Sequence, residues 1–301
     1  MPPRSFVATL IADPLHSALS DAWIARAAQE LPGFASAQWL DPGVAADLFF
    51  DGDESALSPI RERLRTLLVG EPIDSIVQPA AGRRKKLLLA DMDSTLIGQE
   101  CIDELAARVG IGERVAAITD RAMRGEIEFE PALRERVALL ADLPEAVIAE
   151  VIESRITLTP GGRALVQTMR AAGAYAAIVS GGFTQFTSEI AKQLGFDEHR
   201  ANRLVVENHL LVGRVGEPIL GRDAKLATLR DLRTRLGLAV HETLAVGDGA
   251  NDLAMLSEAG LGVAYRAKPA VAAAAHARLD HADLTALLYA QGFARGAFIE
   301  G

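Results

Sequence analysis

The chain has 301 residues, 50% of them hydrophobic, and a formal net charge of −9 at pH 7. That length allows two domains with buried cores, and the acidic balance argues against a nucleic-acid partner, which needs a basic surface. The one cysteine, Cys101, excludes an internal disulfide and gives no indication of an oxidising compartment.

The N-terminal segment MPPRSFVATLIADP does not have the pattern of a signal peptide. Its apolar run is short, and Asp13 and Pro14 interrupt it early. No uncharged apolar stretch of about 18 residues occurs later that could span a membrane. We therefore expect a cytoplasmic protein with no membrane partner.

Residues 1–80 are predicted to form a small α+β domain. Strands are expected in SFVATLIA, SAQWLD, ADLFFDGD and DSIVQP, and helices in SDAWIARAAQEL and SPIRERLRTLLV. Ser20 or Asp21 would cap the first helix, and Ser58 followed by Pro59 would start the second. The order β-α-β-β-α-β predicts a ferredoxin-like sandwich.

The basic run GRRKK, residues 82–86, follows this domain. Such a run can bind nucleic acid. In an acidic chain we interpret it instead as a solvent-exposed linker that enters the next strand.

Residues 81–301 are predicted to form an α/β domain with a doubly wound parallel sheet. The short apolar runs KLLLAD, AYAAIVS and ETLAVGD suit strands that are buried on both faces, and they alternate with helical segments. Two insertions interrupt this pattern. Residues of about 99–158 are amphipathic and predict a helical cap, and those of about 202–221 predict a β-hairpin.

Polar residues cluster where three of the predicted strands end. In chain order they are Asp91 and Asp93; Ser180, Gly181 and Gly182; and Gly247, Asp248 and Gly249, with Asn251 and Asp252 just beyond. Ligands bind at this edge of open α/β sheets. Four carboxylates gathered there need a cation, and oxygen ligands favour Mg²⁺. The six histidines lie away from the strand ends, which argues against zinc.

The same residues suit the chemistry of a phosphate ester. Ser180 and the glycine amides can hold phosphate oxygens, and Lys225 can balance their charge. A carboxylate such as Asp91 can attack phosphorus, while Asp93 exchanges a proton with the leaving group and with water. Each feature alone is common in proteins, but their joint occurrence in this order indicates a phosphatase.

These motifs resemble those of the haloacid dehalogenase-like phosphatases. DMDST at 91–95, VSGG at 179–182, Lys225 and GDGAND at 247–252 match the four motifs of that superfamily in order. Within it, DMDSTLIGQECIDELA, GEIEFEPALRERVALL and VGDGANDLAML are most similar to the phosphoserine phosphatase family. The resemblance covers residues of about 87–290.

The resemblance implies release of L-serine and phosphate from O-phospho-L-serine, the last step of serine biosynthesis. It implies Asp91 as the nucleophile and Asp93 as the general acid and base. Mg²⁺ would be held by the Asp91 and Asp248 carboxylates and the Asp93 carbonyl, with Asp252 supporting the metal-bound waters. The phosphoryl group would be contacted by Ser180, Gly181, Lys225 and Asn251.

The resemblance also assigns residues of the cap to substrate selection. Glu100 would face the ammonium group, and Arg136 would pair with the carboxylate, although each could also be ordinary helix-surface charge. Met123 and Phe129 would close over the ligand and exclude water. Cys101, beside Glu100, is expected to be a small packed thiol.

Residues 1–80 resemble an ACT-like amino-acid-binding domain, which suggests a homodimer by analogy. Their first loop, ADPLHSALSD, lacks the glycine that such ligand-binding loops usually contain. Two other functions stay open. One is a related phosphatase or phosphotransferase acting on another small phosphomonoester such as phosphohomoserine. The other is an amino-acid-sensing regulatory protein, which the complete set of catalytic motifs argues against.

Overall fold

The computed structural model describes residues 6–124 and 126–300, apart from the side chains of Met123 and Arg222. Its strands form a four-stranded antiparallel sheet near the N-terminus, a six-stranded parallel sheet in the rest of the chain, and a two-stranded hairpin. The predicted fold class, a doubly wound core with a small ferredoxin-like unit, is confirmed. No helix in the described ranges has both the length and the apolar character that crossing a membrane requires.

The antiparallel sheet has the strand order β2-β3-β1-β4 and carries two helices. Its elements are β1 Phe6–Ala12, α1 Asp21–Gln29, β2 Phe34–Asp41, β3 Ala45–Phe50, α2 Leu57–Leu67 and β4 Ile73–Pro79. Ser20 caps α1 by accepting a hydrogen bond from Trp23 N. The predicted cap at Ser58 is wrong, because a 3₁₀ turn at Glu54–Ala56 leads directly into α2.

The parallel sheet has the order β12-β11-β10-β5-β6-β7. In chain order the elements are β5 Leu87–Ala90, α3 Cys101–Arg108, α4 Gly112–Met123, α5 Phe129–Ala138, α6 Ala146–Arg155, α7 Gly162–Ala171, β6 Tyr175–Phe183, α8 Thr184–Leu194, β7 Glu198–Asn202, β8 Leu204–Glu207, β9 Leu210–Val215, α9 Arg222–Arg235, β10 Thr243–Gly247, α10 Leu253–Glu258, β11 Leu261–Tyr265, α11 Pro269–Ala274, β12 Ala277–Leu279 and α12 Ala286–Ala290. Helices α3–α6 follow β5 directly. They therefore lie at the carboxyl edge of this sheet.

The two larger sheets share buried contacts. Ile11, Ala45 and Ile76 of the antiparallel sheet belong to the same hydrophobic cluster as the parallel-sheet strands. The Asp74 carboxylate accepts hydrogen bonds from the backbone N–H groups of three consecutive residues, 280–282. Buried polar groups need such partners, so this contact fixes β4 against the segment after β12.

The basic run at residues 82–86 is a linker that enters β5, as expected, but it is only partly exposed: Gly82, Arg84 and Lys86 are exposed, whereas Arg83 and Lys85 are not. Arg83 Nη1 lies 2.7 Å from Oδ2 of Asp47, whose side chain is fully buried. Lys85 is only 8% exposed and donates from Nζ to the carbonyl oxygens of Gly82 and His241. Arg83 and Lys85 thus find partners inside the protein, whereas the other charged side chains of the segment face solvent.

Candidate active site

Three neighbouring parallel strands end at the same level. Strand β5 lies between β10 and β6, with Ala90 paired to Val246 on one side and to Ile178 on the other. Strands β5 and β10 are buried throughout, and β6 is buried over residues 176–180. Their carboxyl ends therefore bring Asp91, Ser180 and Asp248 to one edge.

A tight turn after β5 directs two carboxylates into this edge. The N–H groups of residues 95–97 all point to the Met92 carbonyl, and Ser94 has a φ of 53°. Asp91 Oδ1 accepts from Met92 N, and Asp93 Oδ1 accepts from Cys101 N at the start of α3. Because of this turn, the carboxylates of Asp91 and Asp93, two positions apart in sequence, both lie in one site.

Lys225 is the buried cation of the site. It is 2% exposed, and its Nζ lies 2.7 Å from Asp91 Oδ2 and 2.6 Å from Asp252 Oδ1. Burial alone would lower the pKa of Lys225, but the two carboxylates outweigh it and raise that pKa. The ammonium group therefore stays charged and links the end of β5 to the start of α10.

The carboxylates present a set of oxygen atoms that suits a divalent cation. One oxygen from each of Asp91, Asp248 and Asp252 lies within 4.8 Å of the others. Thr95 Oγ1 donates to Asp248 Oδ1 at 3.2 Å, and Gly249 N donates to Asp252 Oδ2 at 3.0 Å. Hard cations such as Mg²⁺ or Ca²⁺ bind carboxylate groups of this kind, so the described residues can hold a metal.

The clustering of these acids also changes their pKa values. Burial raises the pKa of Asp91 well above its ordinary range, and that of Asp93 is raised for the same reason. Burial, Asp252 and Glu100 raise the pKa of Asp248 to about 6. Removal of water and like charge both oppose ionisation, and a bound cation would act in the opposite direction.

The end of β6 forms an irregular, glycine-containing bulge. Its pairing with β7 is regular up to Val179 and resumes only at Phe183. Ser180 is 2% exposed, and its Oγ accepts from Gly182 N at 2.9 Å. A β-carbon on Gly182 would lie 2.7 Å from Asp93 Oδ2 and 3.1 Å from Ser180 Oγ, so only glycine allows the two strand ends to approach this closely.

Glu100 and Phe129 lie next to the residues at the ends of β5 and β6. Glu100 reaches the surface and accepts from Ser94 Oγ at 2.7 Å. Partial removal of water from its carboxyl group, together with the charge of Asp93, raises the pKa of Glu100 to about 7. The Phe129 ring lies over Gly181, where a β-carbon would be 3.6 Å from Cζ.

Arg136 is half-buried on α5 and donates from Nε to the Ala132 carbonyl. Burial lowers the pKa of Arg136, while Asp103 and Glu100 oppose that shift. Asn251 is half-buried, and its side-chain oxygen folds back against Gly249. Met123 ends α4, but its side chain lies outside the described residues.

Cys101 is buried, and its environment raises the pKa of the thiol far above its ordinary value. The desolvated thiol therefore stays protonated, as a packed side chain should. The prediction of a packed cysteine is confirmed.

Sequence reasoning missed three residues that hold the site together: Ser94, Thr95 and Asn202. Thr95 could have been found, because it is the threonine of the DMDST motif and its hydroxyl reaches Asp248. Ser94 occupies the variable position of the same motif, and Asn202 belongs to no motif. Their contacts depend on tertiary structure.

The family model of the haloacid dehalogenase-like hydrolases matches residues 88–257. The chain belongs to this family. The phosphoserine phosphatase SerB2 of Mycobacterium tuberculosis is 42% identical over 242 residues, which is 80% of this chain and 59% of that protein. This chain therefore spans about three fifths of the length of that relative.

Two solved structures extend the comparison. A HAD-family hydrolase of Salmonella enterica serovar Typhi has a TM-score of 0.84 and 29% identity, over 94% of this chain and 97% of the other. A substrate-bound phosphoserine phosphatase has a TM-score of 0.63 and 40% identity, over 68% of this chain and 98% of the other. The first similarity includes the antiparallel sheet, because it extends over nearly the whole chain.

Proposed function

We propose that the protein is an Mg²⁺-dependent phosphatase that converts O-phospho-L-serine and water into L-serine and phosphate, and so supplies serine biosynthesis. The observation that carries this proposal is the contact of Lys225 Nζ with both Asp91 and Asp252 beside three convergent carboxylates. That arrangement offers a nucleophile, a buried cation and a metal-binding group to one phosphoryl group. The identity to phosphoserine phosphatases supports the choice of substrate.

In the proposed reaction, an Asp91 carboxylate oxygen attacks phosphorus and the bond from phosphorus to the serine oxygen breaks. Asp93 gives its carboxyl proton to that oxygen, and L-serine leaves. Asp93 then takes a proton from water, whose oxygen attacks the aspartyl-phosphate. Phosphate is released and the Asp91 carboxylate is restored.

The residues around Asp91 would bind the phosphoryl group. The Ser180 hydroxyl, the Gly181 amide and Asn251 would hold its oxygens, and Lys225 would balance the charge that develops. Mg²⁺ would be held by the Asp91 and Asp248 carboxylates and the Asp93 carbonyl, with Asp252 behind them. When bound, the cation supplies positive charge that favours the ionised carboxylates and neutralises the phosphate.

The cap would select the rest of the substrate. Glu100 would face the ammonium group of phosphoserine and Arg136 its carboxylate. Phe129, over Gly181, and Met123 would exclude water from the reacting atoms. The charges of Glu100 and Arg136 support this division, because they complement the two ends of an amino acid.

We further propose that residues 1–80 and 81–301 form two domains, with a cap at about 99–158 and a hairpin at about 202–221. The positions of β1–β4, α3–α6 and β8–β9 along the chain support this division. The protein would act in the cytoplasm, without nucleic-acid or membrane partners, as a homodimer. Size-exclusion chromatography with light scattering tests the homodimer, and a monomeric mass would contradict it.

A substrate panel with the purified protein and Mg²⁺ tests the proposed function. The panel contains O-phospho-L-serine, O-phosphohomoserine and phenyl phosphate at matched concentrations, with phosphate release as the readout. We expect the highest kcat/KM for phosphoserine. A clear preference for phosphohomoserine would identify the related phosphatase instead, and no turnover of any ester would contradict a phosphatase.

Asp91→Asn tests the nucleophile. An amide cannot attack phosphorus as a carboxylate does, so we expect phosphate release to fall by about 10³-fold or more. Circular dichroism and thermal unfolding check that the variant is folded. A folded variant with near-wild-type turnover would exclude Asp91 as the nucleophile.

A further inference from the structure

The side chain of Asn202 joins two parts of the candidate site that are distant in sequence. It lies at the end of β7 and is 1% exposed. Its Nδ2 donates to Gly181 O at 2.9 Å and to Leu220 O at 3.3 Å, and its Oδ1 accepts from Leu220 N at 2.7 Å. One buried amide thus connects the bulge of β6 to the segment that leads into α9.

The bulge explains why an amide is needed at this position. Regular pairing between β6 and β7 stops after Val179 and resumes with Phe183 opposite Asn202. Within this interruption the Gly181 carbonyl has no place in the regular ladder. Buried carbonyl groups need a hydrogen-bond donor, and Asn202 supplies it.

The hydrogen bond to Gly181 also acts on Ser180. The Gly181 carbonyl and the Gly182 N–H belong to one planar peptide group. Asn202 holds the oxygen of this group, and the N–H at its other side donates to Ser180 Oγ at 2.9 Å. Because Oγ accepts from Gly182, its own proton is free to point to another acceptor, such as a phosphate oxygen.

The contacts with Leu220 act on the other side of the site. Leu220 is followed by Gly221, which precedes α9. That helix carries Lys225, whose Nζ touches Asp91. Because Asn202 bonds both the N–H and the carbonyl of Leu220, it determines where the chain enters this helix.

We propose that Asn202 is a positioning residue for phosphate binding. It orients the Ser180 hydroxyl through one peptide group and sets the entry to α9, so that Ser180 and Lys225 reach the same phosphoryl group. The activity assay of this role rests on the proposed function. The effect of Asn202 on the binding of inorganic phosphate can be measured independently of that function.

Asn202→Asp is the first test, because it keeps the size and the acceptor of the side chain but removes both donor bonds. We expect the Kd for inorganic phosphate in the presence of Mg²⁺, measured by calorimetry, to rise about 10- to 100-fold. The kcat/KM for phosphoserine should fall by a similar factor. If this variant does not fold, Asn202→Ala removes the same donors without burying a charge.

Gln291→Glu is the matched control. Gln291 is also 1% exposed, donates to Leu287 O and accepts from Lys85 N, away from the site. We expect it to lower the thermal unfolding temperature with the phosphate Kd unchanged. An unchanged phosphate Kd in folded Asn202 variants would overturn the proposal and leave Asn202 a purely structural residue.

A double-mutant cycle tests the link to Ser180. If Asn202 acts through that hydroxyl, Asn202→Ala should change the phosphate Kd by a smaller factor in the Ser180→Ala background than in the wild type. The same factor in both backgrounds would overturn the link. A wild type that binds phosphate but does not hydrolyse phosphoserine would contradict the proposed function alone, and the binding measurements would still decide the role of Asn202.

Discussion

Arg136 and Glu100 carry opposite charges on different elements of the cap. Arg136 projects from α5, while Glu100 precedes α3, and the charge of Glu100 acts on the Arg136 guanidinium. Asp103 adds a further negative charge on α3. A zwitterionic substrate would meet both signs of charge here, which a simple phosphate ester would not need.

Arg136→Ala should therefore weaken the binding of phosphoserine selectively. Loss of a charge-assisted carboxylate contact should raise its KM about 10- to 100-fold, equivalent to about 1.4–3 kcal/mol. The KM for phenyl phosphate, which has no carboxylate, should change little. Steady-state kinetics with both esters measure the difference.

Arg134→Ala is the control for this prediction. Arg134 lies on the same helix, is exposed, and pairs with Glu217. It should leave both KM values close to wild type. If Arg136→Ala affects the two esters equally, Arg136 does not recognise the carboxylate.

Among single residues, the sequence predicted those that belong to a motif. It did not predict the residues whose hydrogen bonds hold the motif residues in place. Asp91, Ser180 and Lys225 each follow a recognisable strand or helix signal. Asn202 acts on Gly181 and Leu220 through contacts that need the folded chain. A buried amide that bonds only backbone atoms leaves no trace in a motif.

Among the elements, the hairpin β8–β9 supports the cap. Leu211 exchanges backbone hydrogen bonds with residues 142 and 143, which follow α5. Gly213 has a φ of 67°, and a β-carbon there would lie 2.9 Å from Ala141 Cβ and 3.2 Å from Ala138 O. The hairpin therefore packs closely against the end of the helix that carries Arg136.

Gly213→Ala should destabilise the protein by both strain and overpacking. We expect about 1–3 kcal/mol from the close contacts, in addition to the cost of a positive φ. Gly173→Ala is the control, because Gly173 has a φ of 86° but open space around it. Denaturant unfolding should give a larger loss for Gly213→Ala, and equal losses would rule out close packing against the cap.

Element types were predicted better than their boundaries. The apolar run AYAAIVS predicted β6, but the strand continues through its bulge to Phe183. The proline after Ser58 suggested a helix start that lies two residues too late. Local propensity does not report a bulge or a 3₁₀ turn, because both depend on the neighbouring elements.

In the whole molecule, Arg83 and Lys85 of the segment 82–86 are withdrawn from solvent, while Arg84 and Lys86 stay exposed. Lys85 Nζ bonds the Gly82 and His241 carbonyls, and its N–H donates to Gln291. Burial lowers the pKa of Lys85 to about 8. Charge at this position therefore opposes folding at neutral pH.

This shift has a defined effect on stability. Between pH 8 and the ordinary lysine pKa of 10.5, the unfolded chain binds more protons at Lys85 than the folded chain does. The contribution of Lys85 to the free energy of unfolding therefore rises with pH across this window and is constant below it. The total change should be about 3 kcal/mol.

Lys85→Met isolates this effect, because methionine does not titrate. The stability of the wild type relative to Lys85→Met should increase between pH 7.5 and 10, as measured by urea unfolding. Lys86→Met, at a neighbouring side chain that is 62% exposed, is the control. If the difference in unfolding free energy between the wild type and Lys85→Met does not vary with pH, Lys85 is not desolvated in the folded protein.

The sequence by itself determined the class of this protein. Apolar runs buried on both faces specify parallel strands, and acidic, serine and glycine residues at the ends of such strands, with a lysine on a following helix, indicate phosphate chemistry. Only the tertiary structure decided which groups the charged side chains of residues 82–86 contact, where β6 bulges after Val179, and which backbone groups Asn202 binds. The physical reason is that a local pattern records which residues prefer burial or a strand, whereas the partner of a buried polar group is chosen only when distant segments meet.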